Sequence, residues 1–301
     1  MNKSKRTDRD SLVKKAAYLR LMAIKLAEDM KSGTFKSLYK GQGIEFSGVR
    51  DYIRGDDVRS IDWNVTARMN KPFVKVFEED RELQIFLIVD TSLSMQLECQ
   101  DVTKYDVLSE TAALITIAAE LNNCSIGAVF FDGEINFSCK PAMGKEQIML
   151  LLSHLDNLPS SNTVGSVLGS AINGAGKLLK KRSLVFVLSD FRTSDWEKPL
   201  ISLAQRHDVV ALRLKNKYDD ELPVIGTVPF VDVESGDSMV IPSFSQKLKK
   251  EWKVQSENNQ KKWQSVCVKH GVVPVVMNTS DSPLKVLTSV FSEAKGRAGS
   301  V

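Results

Sequence analysis

Cysteine is scarce in this chain: four residues in 301, Cys99, Cys124, Cys139 and Cys267, none of them closely paired. That excludes a disulfide framework and a cysteine-based zinc site, and it fits a reducing compartment. Long apolar runs are missing too. No stretch approaches the roughly 20 residues of a membrane helix, and the basic N-terminus lacks the apolar core of a signal peptide, so a cytoplasmic protein with no transmembrane segment is expected. The three histidines, His154, His207 and His270, are expected on helix or strand edges away from strand carboxyl ends. No G-x-S-x-G nucleophile elbow occurs. The run Asn173-Gly174-Ala175-Gly176-Lys177-Leu178 lacks the earlier glycine of a phosphate loop and places Leu178 where Ser or Thr would have to meet Mg²⁺.

Neither sign of charge dominates, with 41 Lys and Arg against 37 Asp and Glu. The surplus is local, however: Met1–Lys40 carries 11 basic and 4 acidic side chains. Such an arm could touch an acidic partner or an anionic lipid surface, although a solvated helix face accounts for the same residues and is preferred. Leu12–Met30 has helical apolar spacing through Leu19, Ala23, Leu26, Ala27 and Met30.

The organising stretch is Ile85–Met95, IFLIVDTSLSM. A short apolar run bounded by polar residues predicts a strand buried on both faces of a parallel sheet. At its carboxyl end stand Asp90, Ser92 and Ser94. Ligands of open α/β sheets bind in the crevice outside the strand carboxyl ends. A carboxylate with alternating hydroxyls offers only hard oxygen donors there, which suits Mg²⁺ first, Mn²⁺ or Ca²⁺ otherwise, and disfavours zinc or copper. Serines after a strand also serve turns and helix caps, so the triplet by itself decides little.

Beyond it, Lys104–Leu121 predicts a crossover helix, Ser125–Phe131 a strand, and Asp132-Gly133 a turn into Glu134–Cys139. Helices follow over Lys145–Leu158 and Val164–Leu179, a strand over Ser183–Ser189, a helix over Asp195–Arg206 and a strand over Val209–Leu214. Leu222–Pro242 reads as an inserted hairpin. Gln246–Lys269 is expected as a basic amphipathic helix, Val272–Met277 as the last strand and Pro283–Lys295 as the last helix. Alternating strands and helices make this a doubly wound, mostly parallel α/β fold. A unit over 1–82 and a larger one over 83–301 are expected, since 301 residues is near the limit for one core.

Asp90-x-Ser92-x-Ser94 resembles the metal-ion-dependent adhesion site of von Willebrand factor A domains. That resemblance adds Thr163, which could equally cap the following helix, and Asp190, acting through water. The stretch from Lys40 to Glu79 carries Lys40-Gly41-x-Gly43-x-Glu45-Phe46, Val49-Arg50-x-Tyr52, Gly55-Asp56-Asp57-x-Arg59-x-Ile61-Asp62-Trp63, Thr66-Ala67-Arg68 and Val74-Lys75-x-Phe77-Glu78-Glu79. It resembles the defining block of a bacterial family labelled domain of unknown function fifty-eight, which joins that block to a von Willebrand A-like, Rossmann-like domain. The resemblance implies a MoxR-type AAA+ ATPase as partner, in chaperone-like assembly or activation of clients that present a Glu or Asp.

From the residues alone, Arg50, Arg54, Arg59 and Arg68 against Asp51, Asp56, Asp57 and Asp62 predict an ion-pair lattice, structural or docking, anchored by Trp63 and Phe46. Its balanced charge speaks against nucleic acid. Lys71–Glu79 is expected as a strand leading into the central one. A metal-dependent protein-interaction module is therefore expected, with no catalytic residue assigned. The alternative is a divalent-metal hydrolase at the same Asp90, though Ser92 stands where a phosphotransferase of that type would want a second aspartate.

Overall fold

The computed structural model describes residues 17–30, 45–69, 71–78, 83–96, 98–99, 102–157, 166–221, 227–231, 238–242 and 245–298. Contacts divide the chain into two units, one of Met1–Lys40 with Leu83–Val301 and one of Gly41–Glu82. The smaller unit ends at Glu82, and the leading helix, α1 (17–30), placed with it from sequence, groups instead with the sheet body. The reason is its apolar stripe: Ala23, Leu26, Ala27 and Met30 are buried in the core, and Asn122 Nδ2 donates to Ala27 O at 3.1 Å.

The body is a mixed α/β unit around six strands. In chain order these are β3 (Gln84–Asp90), β6 (Ser125–Phe131), β7 (Ile135–Ala142), β8 (Leu184–Ser189), β9 (Asp208–Lys215) and β12 (Val273–Asn278). Their spatial order is β12-β9-β8-β3-β6-β7; all pairings are parallel except β6 with β7. The expected central strand is central, with β8 on one side and β6 on the other. Successive connections leave it in opposite directions, so a crevice opens at the carboxyl ends between β3 and β8.

Helices cover both faces because the strands alternate. Ile85, Leu87 and Val89 face one core with α1, α3 (Lys104–Leu121), α4 (Lys145–Asp156) and α9 (Pro283–Ala298). Phe86 and Ile88 face the other with α5 (Leu168–Leu178), α6 (Glu197–Ala204) and α8 (Gln246–Lys269). Among the described residues, no helix is long and apolar enough to cross a membrane. The helix expected from Val164 is seen from Leu168, and the expected hairpin forms from β10 (Thr227–Val231) and β11 (Ser238–Pro242), which pair antiparallel. A two-residue ladder, β4 (Glu98–Cys99) with β5 (Val102–Thr103), precedes α3; it has no periodicity to reveal it.

The smaller unit also departs from expectation. The expected strand before the central one is β2 (Phe73–Glu78), but it pairs antiparallel with β1 (Glu45–Asp51), a strand that the charge-rich sequence did not suggest. Between them lie a 3₁₀ turn, Val58–Ser60, and the short helix α2 (Trp63–Met69).

The edge pairing of the main sheet depends on one missing side chain. A Cβ on Gly127 of β6 would lie 2.6 Å from Pro141 N and 2.8 Å from Cys139 O, both backbone atoms of β7. Gly127→Ala must push the edge strand away, and destabilisation of about 1–3 kcal/mol is expected from such overpacking. Urea denaturation of the full chain measures it; an unchanged midpoint would mean that β7 yields freely.

Candidate functional site

Asp90 and Ser189 end adjacent strands. Val89 pairs with Leu188, and each following residue turns to the face shared by Phe86, Ile88, Val185 and Val187. The two side chains therefore meet: Ser189 Oγ donates to Asp90 Oδ2 at 2.6 Å, while Ser92 N donates to Oδ1 at 3.0 Å. Asp90, Ser92, Ser94 and Ser189 are all buried. The 3₁₀ turn Leu93–Met95 brings Ser92 Oγ and Ser94 Oγ to 3.1 Å from each other. Thr91 Oγ1 and N, both donating to Phe131 O, tie the start of this loop to β6.

Asp190 turns the other way, toward the face where α3 begins. Its Oδ2 accepts from Lys104 Nζ at 3.0 Å and its Oδ1 from Arg192 N at 3.2 Å. Lys104, 1% exposed, also reaches Asp219 Oδ2 at 3.1 Å, and Arg192 Nη2 closes on Asp219 Oδ1 at 2.9 Å. Arg213, placed opposite Ser189 in β9, donates from Nε to Asp190 O at 3.2 Å and lies 5.7 Å over the Trp263 ring. The loop itself is pinned by Phe191, whose N donates to Ser189 Oγ and whose ring packs on Trp196 and Trp263. Gly169 of α5 lets Asp195, at φ 67°, approach: a Cβ there would lie 2.7 Å from Asp195 O.

The two carboxylates differ in electrostatics. Burial, then repulsion from Asp190, pushes the Asp90 acid up to about 7 against the opposing hydrogen bonds of Ser189 and Ser92. For Asp190, burial pulls upward too, but the charges of Lys104 and Arg192 outweigh it and hold the acid below its ordinary value. Among the described residues, no lysine, arginine or histidine ion-pairs with Asp90.

A hard cation fits this donor set. Asp90 is a buried carboxyl group with no lysine, arginine or histidine paired to it among the described residues. The 3.1 Å between the two serine hydroxyls is close to the ~3 Å separating neighbouring corners of an octahedron with 2.0–2.1 Å bonds. Among the described residues no three His, Cys, Asp or Glu side chains group as for a metal ion, so any ligand set here must draw on hydroxyls. Of the five positions expected from sequence, Asp90, Ser92 and Ser94 come together and Asp190 is at the same edge; Thr163 lies outside the described residues. Lys104, Ser189, Asp219, Arg192 and Arg213 were missed. Lys104 is the first residue of a helix, where a lysine ordinarily faces water, and no spacing in the sequence announces its partners.

The arginine and aspartate block behaves differently from the expected lattice. One fork forms, Arg50 Nη1 and Nη2 to Asp56 Oδ2 and Oδ1 at 2.7 and 2.8 Å. Asp56 also accepts from Ile53 N, Asp57 caps the 3₁₀ turn through Arg59 N, and Asp62 caps α2 through Asn64 N and Val65 N. Among the described residues Arg54, Arg59 and Arg68 make no ion pair. These short acidic side chains bond the backbone two or three residues away, which competes with long-reach pairing to arginine. Trp63 is not an anchor: it is 66% exposed, with Ile53, Val58 and Met69 exposed as well. The side chain of Phe46 is outside the described residues.

Two measurements follow. Ser189→Ala strips Asp90 and Phe191 N of a partner, and a loss of about 1.5–3 kcal/mol is expected in urea denaturation; a shift within error would deny the hydroxyl this role. In the small unit, the Arg50 fork and then the Ile53 amide hold the Asp56 acid down, at about 2. Its stabilising contribution is therefore present above the ordinary carboxyl value and fades as pH falls through about 2. Carboxyl-detected NMR should find Asp56 titrating that low, and Arg50→Ala should return it toward the usual range.

Residues 48–262 match the model of the family described as "Protein of unknown function DUF58". The uncharacterized protein Rv1480 of Mycobacterium tuberculosis is 32% identical over 237 residues, covering 77% of this chain and 74% of the relative. The uncharacterized protein Mb1516 of Mycobacterium bovis matches to the same extent. Among solved structures, an aerotolerance-related membrane protein from Bacteroides fragilis is similar at a TM-score of 0.49 and 15% identity, covering 71% of this chain and 99% of that one. A likeness so distant leaves function to be read from this chain itself.

Proposed function

The chain belongs to the DUF58 family of proteins of unknown function, and from that premise we propose that it is a divalent-cation-dependent protein-interaction module of the von Willebrand factor A type. One observation carries the reading: among the described residues Asp90, buried at the switch point of the sheet, is hydrogen-bonded by neutral donors alone, while its neighbour Asp190 has a lysine. Burial holds that acid up at about 7, and a divalent cation would take the place of its proton and stabilise the ionised form. Strand order adds support. Numbered by appearance in the chain, the sheet runs third-second-first-fourth-fifth-sixth with the third strand antiparallel, the arrangement that places a ligand between first and fourth strands.

Asp90 would supply the anionic ligand, Ser92 and Ser94 neutral ones, Thr163 a further hydroxyl and Asp190 a contact through water. Mg²⁺ takes six oxygens and keeps several waters. One direct carboxylate leaves it with surplus positive charge, so an open position attracts a Glu or Asp of another protein. The companion implied by the family resemblance is a MoxR-type AAA+ ATPase, with the acidic residue presented by it or by a client.

Capture of a purified MoxR-type AAA+ ATPase by the 301-residue chain tests the reading. Retention is expected in Mg²⁺ or Mn²⁺, with loss in chelator and loss on Asp90→Ala while circular dichroism stays native. Retention that ignores both chelator and the substitution would overturn it.

A further inference from the structure

The cation already built into this edge has a consequence for the one that would come from solution. Lys104 is the first residue of α3, and a reciprocal cap fixes its position: Thr103 Oγ1 accepts from Asp106 N while Asp106 Oδ2 accepts from Thr103 N. Its ammonium is buried between Asp190 and Asp219, at 3.0 and 3.1 Å, and has no solvent-facing alternative. Arg192 bonds Asp219 from the other side. Two carboxylates and two cations thus form a closed set, and the backbone carbonyl of Asp190 is claimed by Arg213.

Asp190 is therefore electrically spent. Against a divalent ion at Asp90, Ser92 and Ser94 stands a single free negative charge, with the Lys104 ammonium held beside the second carboxylate. We infer that Lys104 is the residue that sets this site's affinity: it keeps a divalent cation weakly held by the chain alone and makes firm retention conditional on a carboxylate arriving from outside. Unlike a solvent cation, the ammonium cannot leave, so this tuning is permanent. The inference rests on the metal reading above and names what regulates that same site.

The experiment is isothermal titration of the full chain with Mn²⁺, first alone and then with acetate as the carboxylate probe. The wild type should bind Mn²⁺ weakly and gain affinity with acetate. Lys104→Met should tighten Mn²⁺ binding about tenfold or more without acetate, because it removes a fixed positive charge and frees the Asp190 carboxylate at the same sheet edge, and acetate should then add little. Lys104→Arg should keep the wild-type pattern. Should Lys104→Met fold poorly by circular dichroism, Asp219→Asn decides, because it leaves the cations in surplus and should weaken Mn²⁺ binding. Unchanged affinity in both variants, or tighter binding in Asp219→Asn, overturns the role of Lys104. If the wild type binds Mn²⁺ through Asp90, shown by loss in Asp90→Ala, only the lysine's role falls. If no Mn²⁺ binds even with acetate, the metal reading fails and this inference with it.

Discussion

A carboxylate taken out of water has to be compensated, and the carboxyl edge of this sheet meets that demand in two different ways. Asp190 is matched by Lys104, which it shares with Asp219. Asp90, in the neighbouring strand, has among the described residues hydroxyl and amide donors alone. Removing one partner from a buried ion pair costs about 3–5 kcal/mol, because the remaining charge is stranded. The paired half of the edge is thus a fixed part of the fold, and the other half is where the proposed cation would bind.

That asymmetry comes from strand geometry. Successive side chains leave a strand on opposite faces, so Asp90 and Ser189 meet on the α5 side while Asp190, one residue further, meets the start of α3 on the other. The left-handed residue Phe191 and the close approach of Asp195 to Gly169 hold the intervening loop against α5 and α8. Nothing in this arrangement needs a long-range rearrangement to present Asp90, Ser92 and Ser94 together. The small unit from Gly41 to Glu82 solves a different problem with the same residue types: its aspartates serve backbone turns and caps, and a hairpin supplies the frame. Its exposed Trp63, Ile53, Val58 and Met69 leave an apolar surface on that unit.

Legibility in the sequence followed the range of the interactions. The apolar run of β3 and its terminal aspartate announce a buried strand, since uninterrupted hydrophobicity needs cover on both faces. Gln246–Lys269 was read to its ends because helical periodicity repeats over 24 residues. Strand β1 was hidden, because seven residues with a glycine and three charges show no alternation until β2 pairs with them. The arginine lattice was overestimated for a related reason: composition counts charges but does not say that an aspartate immediately before a helix start will turn to the backbone.

The sequence by itself determined the alternating α/β plan, the central strand and the place of Asp90, Ser92 and Ser94 at its carboxyl end, because each rests on periodicity or on residues two apart. Only the tertiary structure decided which of the two aspartates keeps its charge uncompensated. Lys104 and Asp190 are separated by 86 positions, and no local pattern encodes a contact made by folding a helix start onto a distant strand end.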